Sequence, residues 1–195
     1  TEFHHKAQDA FPNTEEAVEF YRSVLDLVGR FSAEEVAPHA AEIDRDHPKL
    51  QQGDVVFPER LQSIFNQVKE LEIHGMSLPR DFGGMNCPYL LVLFCTELFA
   101  RGDVSVAAHI GFHGGMALAA LAYSAYEGST KFDKETGRIE HSRFEEMVSE
   151  IASGTAWGSM DITEPGAGSD MAALTVRGEQ DESGQWYLTG NKIFI

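Results

Sequence analysis

Positive charge is scarce in this chain. Its 195 residues hold 15 lysines and arginines against 31 aspartates and glutamates, a formal net charge of −16. No basic stripe interrupts the acidic background. Such a surface repels phosphate backbones, which excludes nucleic acid as a partner. Cysteine is scarcer still: Cys87 and Cys95 are the only two. They sit in apolar surroundings without a metal-type spacing, and read as buried free thiols in a reducing compartment. Uninterrupted apolar runs are short. The most apolar, Tyr89 to Phe94, falls well below the roughly 20 residues that span a bilayer, so no membrane span is expected. Thr1-Glu2-Phe3-His4-His5 lacks a basic segment followed by an apolar one, so no secretory signal is read there. The nucleotide fingerprint Gly-x-Gly-x-x-Gly, the P-loop and the zinc-protease His-Glu-x-x-His are missing too.

What is present is an ordinary globular composition, 43% hydrophobic and 24% charged. Asn13 followed by Glu16 predicts a capped helix start. Ala17, Tyr21, Val24, Leu25 and Val28 then recur at helical spacing. Pro38 marks a kink or break, and residues 44–57 read as loop. Pro58 opens a second helix through Leu61, Ile64, Phe65, Val68 and Leu71, with Gly75 placed to end it. From Pro88 to Ala100 only Glu97 is charged, which predicts a helix buried on several sides. Residues 104–126, rich in alanine and glycine, read as a second buried helix. Residues 128–138 read as a polar loop, and 142–152 as a last helix closed by Gly154.

The character then changes. Leu174-Thr175-Val176, Trp186-Tyr187-Leu188 and Ile193-Phe194-Ile195 are short β-type runs separated by turn signals. The expected fold class is mostly α: a helical bundle over residues 1–157, then the beginning of a β-barrel or sheet domain over 158–195. The chain stops inside a strand-like run, so the reading expects it to be cut from something longer.

The segment that speaks of chemistry is Thr163-Glu164-Pro165-Gly166-Ala167-Gly168-Ser169-Asp170. Pro165 fixes one backbone angle. Gly166 and Gly168 permit positive φ and leave amides uncovered, and successive bare amides make an anion-binding concavity. A tight turn that binds nothing is the alternative left open by composition alone.

Residues 162–170 closely resemble the signature of the acyl-CoA dehydrogenase family. Gly190-Asn191-Lys192-Ile193-Phe194-Ile195 is similar to a later strand of that family, and Leu78-Pro79-Arg80-Asp81-Phe82-Gly83-Gly84 to the turn before its buried helix. Glu97 to Ser105 and Phe31 to Arg45 resemble two of its helix patterns. The resemblance implies FAD as cofactor. Met160, Asp161, Ile162 and Thr163 would lie along the isoalloxazine. Gly168 and Ser169 would meet the pyrophosphate, Ser169 would also face the CoA arm of the substrate, and Phe194 and Ile195 would pack on the flavin. Met160, Asp161 and Phe194 depart from the residues usual in the family. The implied reaction is α,β-dehydrogenation of an acyl-CoA, with the β-hydride passing to the flavin. The base would be a carboxylate in a C-terminal helical domain that lies after Ile195, so no catalytic residue is assigned. The implied partners are an acyl-CoA substrate, an electron acceptor such as an electron-transfer flavoprotein, and further copies in a tetramer or dimer. The implied location is cytoplasmic, or the mitochondrial matrix in a eukaryote. An acyl-CoA oxidase and a non-catalytic binding or assembly subunit remain open.

Several individual side chains carry expectations of their own. His109 and His113, four apart, read as packing or pocket lining rather than a metal pair. Glu97 is expected to pair with Arg101 at i+4. Asp170 is expected to bond nearby amides. Lys192 and Arg177 are the basic groups available near an anionic ligand. No metal site is expected.

Overall fold

A computed structural model describes residue 7 and residues 9–194. It divides into two compact units, Thr1–Gly158 and Ser159–Ile195. The first is mostly helical.

Helix α1 (Thr14–Phe31) starts as its sequence predicts. Asn13 Oδ1 accepts from the Glu16 N–H (2.9 Å), and Asn13 Nδ2 donates to Glu16 Oε1 (2.9 Å). Ala17, Val24, Val28 and Phe31 form its buried stripe. A π-helical turn, Ser32–Val36, and a 3-10 turn, Ala37–His39, then lead into α2 (Ala40–Arg45). Pro38 lacks an N–H and cannot continue an α-helical ladder, so the winding changes there. Residues 44–57 are not simply loop. Lys49–Gln51 (β1) pairs antiparallel with Asp54–Val56 (β2) across Gln52 and Gly53, whose φ values are 53° and 95°. Two consecutive left-handed residues give the primed turn that matches strand twist.

Helix α3 (Glu59–Glu70) buries Leu61, Ile64, Phe65 and Val68. It stops earlier than expected, because Glu72 rather than Gly75 adopts the left-handed conformation, φ 56°. The turn that follows is closely packed: a Cβ on Gly84 would lie 2.1 Å from the Leu78 carbonyl oxygen.

Helix α4 (Tyr89–Gly102) buries Leu91, Cys95 and Phe99. Tyr89, Leu90, Leu93 and Phe94 are exposed, so this helix is not buried on several sides as its composition predicts. Gly102 lets it approach α1: a Cβ there would meet Ser32 Oγ at 2.6 Å, and that hydroxyl donates to the Leu98 carbonyl (2.7 Å). Helix α5 (Val104–Tyr126) is capped by Asp103 and contributes Val106, Ala107, His113, Gly114, Ala117, Leu121 and Ser124 to the interior. By length and composition alone it is long and apolar enough to cross a membrane, a test that a buried core helix also passes. Its 23 residues include no charged side chain, and the mean hydropathy of its most apolar window is 1.4. At 1.5 Å per residue the helix is about 34 Å long, enough to cross a bilayer. Ser, His and Gly interrupt its apolar runs, and residues 104–126 form the second helix that the sequence predicts.

The 128–138 region also holds a hairpin, Lys131–Phe132 (β3) with Ile139–His141 (β4). Asp81 ties it down by accepting from the Ile139 N–H (3.3 Å) and pairing with Arg138 (3.3 Å). Helix α6 (Glu145–Ala152) ends at Gly154, φ 69°. Two apolar clusters result. One joins α1, α3, α4 and the start of α5; the other gathers Leu78, Phe82, Ala117, Leu121, Val148, Ile151 and Ala152. Cys87 and Cys95 are both buried, and neither is in a disulfide.

The second unit carries one antiparallel hairpin, Arg177–Gln180 (β5) with Trp186–Thr189 (β6). Asp181 shapes its turn by accepting from the N–H groups of Ser183 and Gln185. Among the described residues, 174–176, 193 and 194 lie outside regular strands, against the β-type reading. The reason is visible for two amides of 174–176: Thr175 and Val176 donate to a carboxylate instead of a ladder. Trp186, on β6, is 60% exposed.

Candidate functional site

The motif of residues 163–170 folds around a two-residue turn. Glu164 and Ala167 exchange both backbone hydrogen bonds, 3.0 Å and 3.1 Å, with Pro165 and Gly166 at the tip. Neither Gly166 nor Gly168 uses positive φ. A Cβ on either would meet nothing within 4 Å, so the space beside both is open.

Beneath the turn lies Glu164, only 5% exposed. One oxygen accepts from the Thr175 N–H (2.8 Å) and the Thr175 hydroxyl (2.7 Å). The other accepts from the Val176 N–H (2.9 Å) and Lys192 Nζ (3.0 Å). A buried carboxylate is tolerated when its lone pairs are filled in this way. The Thr175 hydroxyl first, then the two amides and Lys192, hold its pKa down at about 2. Lys192 Nζ also donates to the Ile162 carbonyl (2.7 Å), and the Ile193 N–H donates to the Thr163 carbonyl (2.9 Å). Lys192 is therefore committed inward, and is not the available cation its sequence position suggests. Arg177, on β5, is exposed.

The structure brings Ile162 and Thr163 together with Lys192 and Ile193. Both Ile162 and Thr163 are half-buried, whereas Met160, Asp161, Gly168 and Ser169 are exposed. Phe194 is 78% exposed with φ 62°, a left-handed conformation that takes it out of any strand. Ile195 lies outside the described residues. Among the described residues, the N–H groups of Ile162, Thr163, Gly166, Gly168 and Ser169 and the hydroxyls of Thr163 and Ser169 take no protein partner. The turn and its flanks therefore present a strip of hydrogen-bond donors without protein partners. Asp170 accepts from the Ala172 N–H (3.2 Å) as expected. The sequence reading gave no role to Glu164, Thr175 or Val176; the lone acid inside a glycine turn was the available signal.

A second cluster lies within the first unit. His113 is 5% exposed, and its Nδ1 meets both the carbonyl (2.9 Å) and the N–H (3.1 Å) of Gly158. As donor to that carbonyl, His113 leaves Nε2 to accept from His109 Nε2 (3.2 Å). His109 stacks on Phe65 (3.8 Å between ring centroids) and meets Trp157 edge-on (4.3 Å). The sequence reading passed over His74, which is 3% exposed, faces both rings, and has a buried Nδ1 without a hydrogen-bond partner. Burial first, then the neighbouring histidines, lowers the pKa of His74 to about 4 and of His109 to about 3; burial also lowers that of His113. The three rings are neutral packing groups. Among the described residues no group of three or more His, Cys, Asp or Glu is arranged to hold a metal. Glu97 and Arg101 form the expected i, i+4 pair (2.6 Å).

A helical unit followed by a turn of this sequence defines a class, and comparison with known proteins defines it further. Residues 19–131 match the profile of the family described as acyl-CoA dehydrogenase, N-terminal domain. That is more than half of the chain, and the chain belongs to the acyl-CoA dehydrogenase family. It is 27% identical over 174 residues to 3-methylmercaptopropionyl-CoA dehydrogenase of Ruegeria pomeroyi, covering 89% of this chain and 27% of that protein. It is 26% identical over 167 residues to a mitochondrial isovaleryl-CoA dehydrogenase of Arabidopsis thaliana, covering 86% and 35% respectively. The chain thus spans about a third of the length of these relatives. In fold it resembles a solved acyl-CoA dehydrogenase complexed with FAD from Bacillus anthracis, with a TM-score of 0.63 at 16% identity, over 98% of this chain and 28% of that one.

Proposed function

We propose that these residues form the front portion of a flavin-dependent acyl-CoA dehydrogenase that carries out α,β-dehydrogenation of an acyl-CoA thioester. The observation that carries the reading is the Glu164–Ala167 turn with its strip of unpartnered donors from Ile162 to Ser169. Ile162 and Thr163 orient the polar edge of FAD, beside Met160 and Asp161. Gly168 and Ser169 hold the diphosphate, and the Ser169 hydroxyl also meets the CoA arm. Phe194 and Ile195 pack against the ring. FAD, when bound, supplies the hydride acceptor. The chain's own part is placement: fixed amide dipoles cost no reorganisation when charge develops on the bound groups. The carboxylate that takes the α-proton belongs to sequence beyond Ile195. The electron acceptor is an electron-transfer flavoprotein, and the working form is a tetramer or dimer in the cytoplasm or mitochondrial matrix.

The test is flavin content. Purified intact protein is expected to carry FAD, which bleaches on anaerobic addition of an acyl-CoA. Gly168→Val is a clean probe, because a Cβ at Gly168 meets nothing in the protein within 4 Å. That variant is expected to fold and lose most of its flavin. Flavin content equal to wild type would refute the assignment.

A further inference from the structure

We infer that Lys192 and Glu164 are positioning residues that aim the Ile162–Thr163 peptide, so that the Thr163 N–H is presented to the flavin. The inference rests on the reading of this turn as the flavin site. In a trans peptide the C=O of one residue and the N–H of the next point to opposite sides. Lys192 Nζ takes the Ile162 carbonyl at 2.7 Å, which turns the Thr163 N–H to the side away from Lys192. That N–H has no partner among the described residues.

Lys192 is held to this task by its second bond. Its ammonium donates to Glu164 Oε1 at 3.0 Å, and three donors from Thr175 and Val176 fix the carboxylate in turn. The next peptide is fixed in the same sense: the Thr163 carbonyl accepts from the Ile193 N–H, and the Glu164 N–H donates to the Ala167 carbonyl. Two successive peptides are thereby locked, and only the Thr163 N–H is left facing outward. A neutral side chain at 192 would release the Ile162 carbonyl, and the peptide plane would be free to rotate about its flanking single bonds. Charge-assisted bonds to a buried acid make the arrangement stiff as well as specific.

The experiment uses the intact protein and two variants, Lys192→Met and Glu164→Gln, with FAD affinity and the midpoint potential of bound flavin as readouts. Both variants are expected to bind FAD roughly ten- to hundredfold more weakly, the equivalent of one charge-assisted hydrogen bond. The flavin that stays bound is expected to show a potential shifted to more negative values in both, because a donor to the reduced ring is lost in both. If Lys192 and Glu164 acted on the flavin only through their charges, the two shifts would have opposite signs, since one variant removes a positive and the other a negative charge. If they merely stabilised the fold, less flavin would bind with its potential unchanged. Either result overturns the proposal while leaving the flavin site standing. Wild-type protein that binds no flavin overturns the functional reading, and this inference with it.

Discussion

In the first unit, Val28, Val36, Val68, Leu78, Phe99, Val106 and Val148 are each 1% exposed or less. In the second, among the described residues, only Glu164 and Ala167 are buried, and the larger of the two is a carboxylate. The first unit is organised by apolar area removed from water, which is non-directional and tolerates any ring or branch of suitable volume. The second is organised by directed bonds to one acid, which specify where individual carbonyls and amides point. The difference suits their proposed tasks: a scaffold requires volume, and a cofactor turn requires orientation.

The comparison is broken most severely from the apolar side. Phe99, 1% exposed and edge-on to Phe31 at 6.1 Å, is expected to cost about 3–5 kcal/mol as Phe99→Ala; denaturant unfolding measures it. Gly84→Ala comes next, at about 1–3 kcal/mol or more, because the new methyl overlaps the Leu78 main chain rather than a flexible side chain. Its thermal midpoint should fall while Gly168→Ala leaves the midpoint unchanged.

Acid separates the two units by window. Histidines in the first unit have folded pKa values depressed from 6.5 to about 4 for His74 and about 3 for His109. The unfolded chain therefore binds more protons than the native one as pH falls through 6.5. Their contribution is complete above pH 6.5 and is lost on acidification towards those folded values. Glu164 is depressed from 4.5 to about 2, so its contribution is complete above pH 4.5 and is lost progressively as pH falls from there through about 2. Thermal midpoints taken from pH 7 downward are expected to decline first from the histidines, and His109→Phe should flatten that first decline. An unchanged slope in the variant would remove the histidine cluster from the account.

Smaller effects sharpen the same contrast. Asn13→Ala removes a cap whose Oδ1 accepts from Glu16 and should cost about 1 kcal/mol, read from urea midpoints. Arg101→Ala breaks an exposed i, i+4 pair and should cost only about 0.3–0.5 kcal/mol, near the limit of the same measurement.

The helical unit was legible because its signals are local. The Asn13 cap, the Glu97–Arg101 pair, the Gly154 stop and the apolar stripes of α1 and α3 all act within a few residues. The two hairpins at 49–56 and 131–141 escaped notice because strands of two or three residues give too short an alternation, and Gln52 is an unusual residue for a primed turn. The exposed face of α4 was misjudged because composition counts apolar residues without saying which of them meet a neighbour. In the motif, the residue types were legible and the mechanism was not. Glycine suggested positive φ, which neither Gly166 nor Gly168 adopts. The organising bonds run from Glu164 to residues 175, 176 and 192, separations across which sequence carries no periodic signal. His74 joined His109 and His113 for the same reason.

The claim on which the rest depends is that the Glu164 carboxylate takes the place of an apolar core beneath the turn. Amide hydrogen exchange at Thr175 and Val176 in the intact protein tests it, comparing wild type with Glu164→Gln. Slow exchange of both amides in wild type and fast exchange in the variant, with the amides of α4 unchanged, is the predicted result. Equal exchange at Thr175 and Val176 in the two proteins would contradict it.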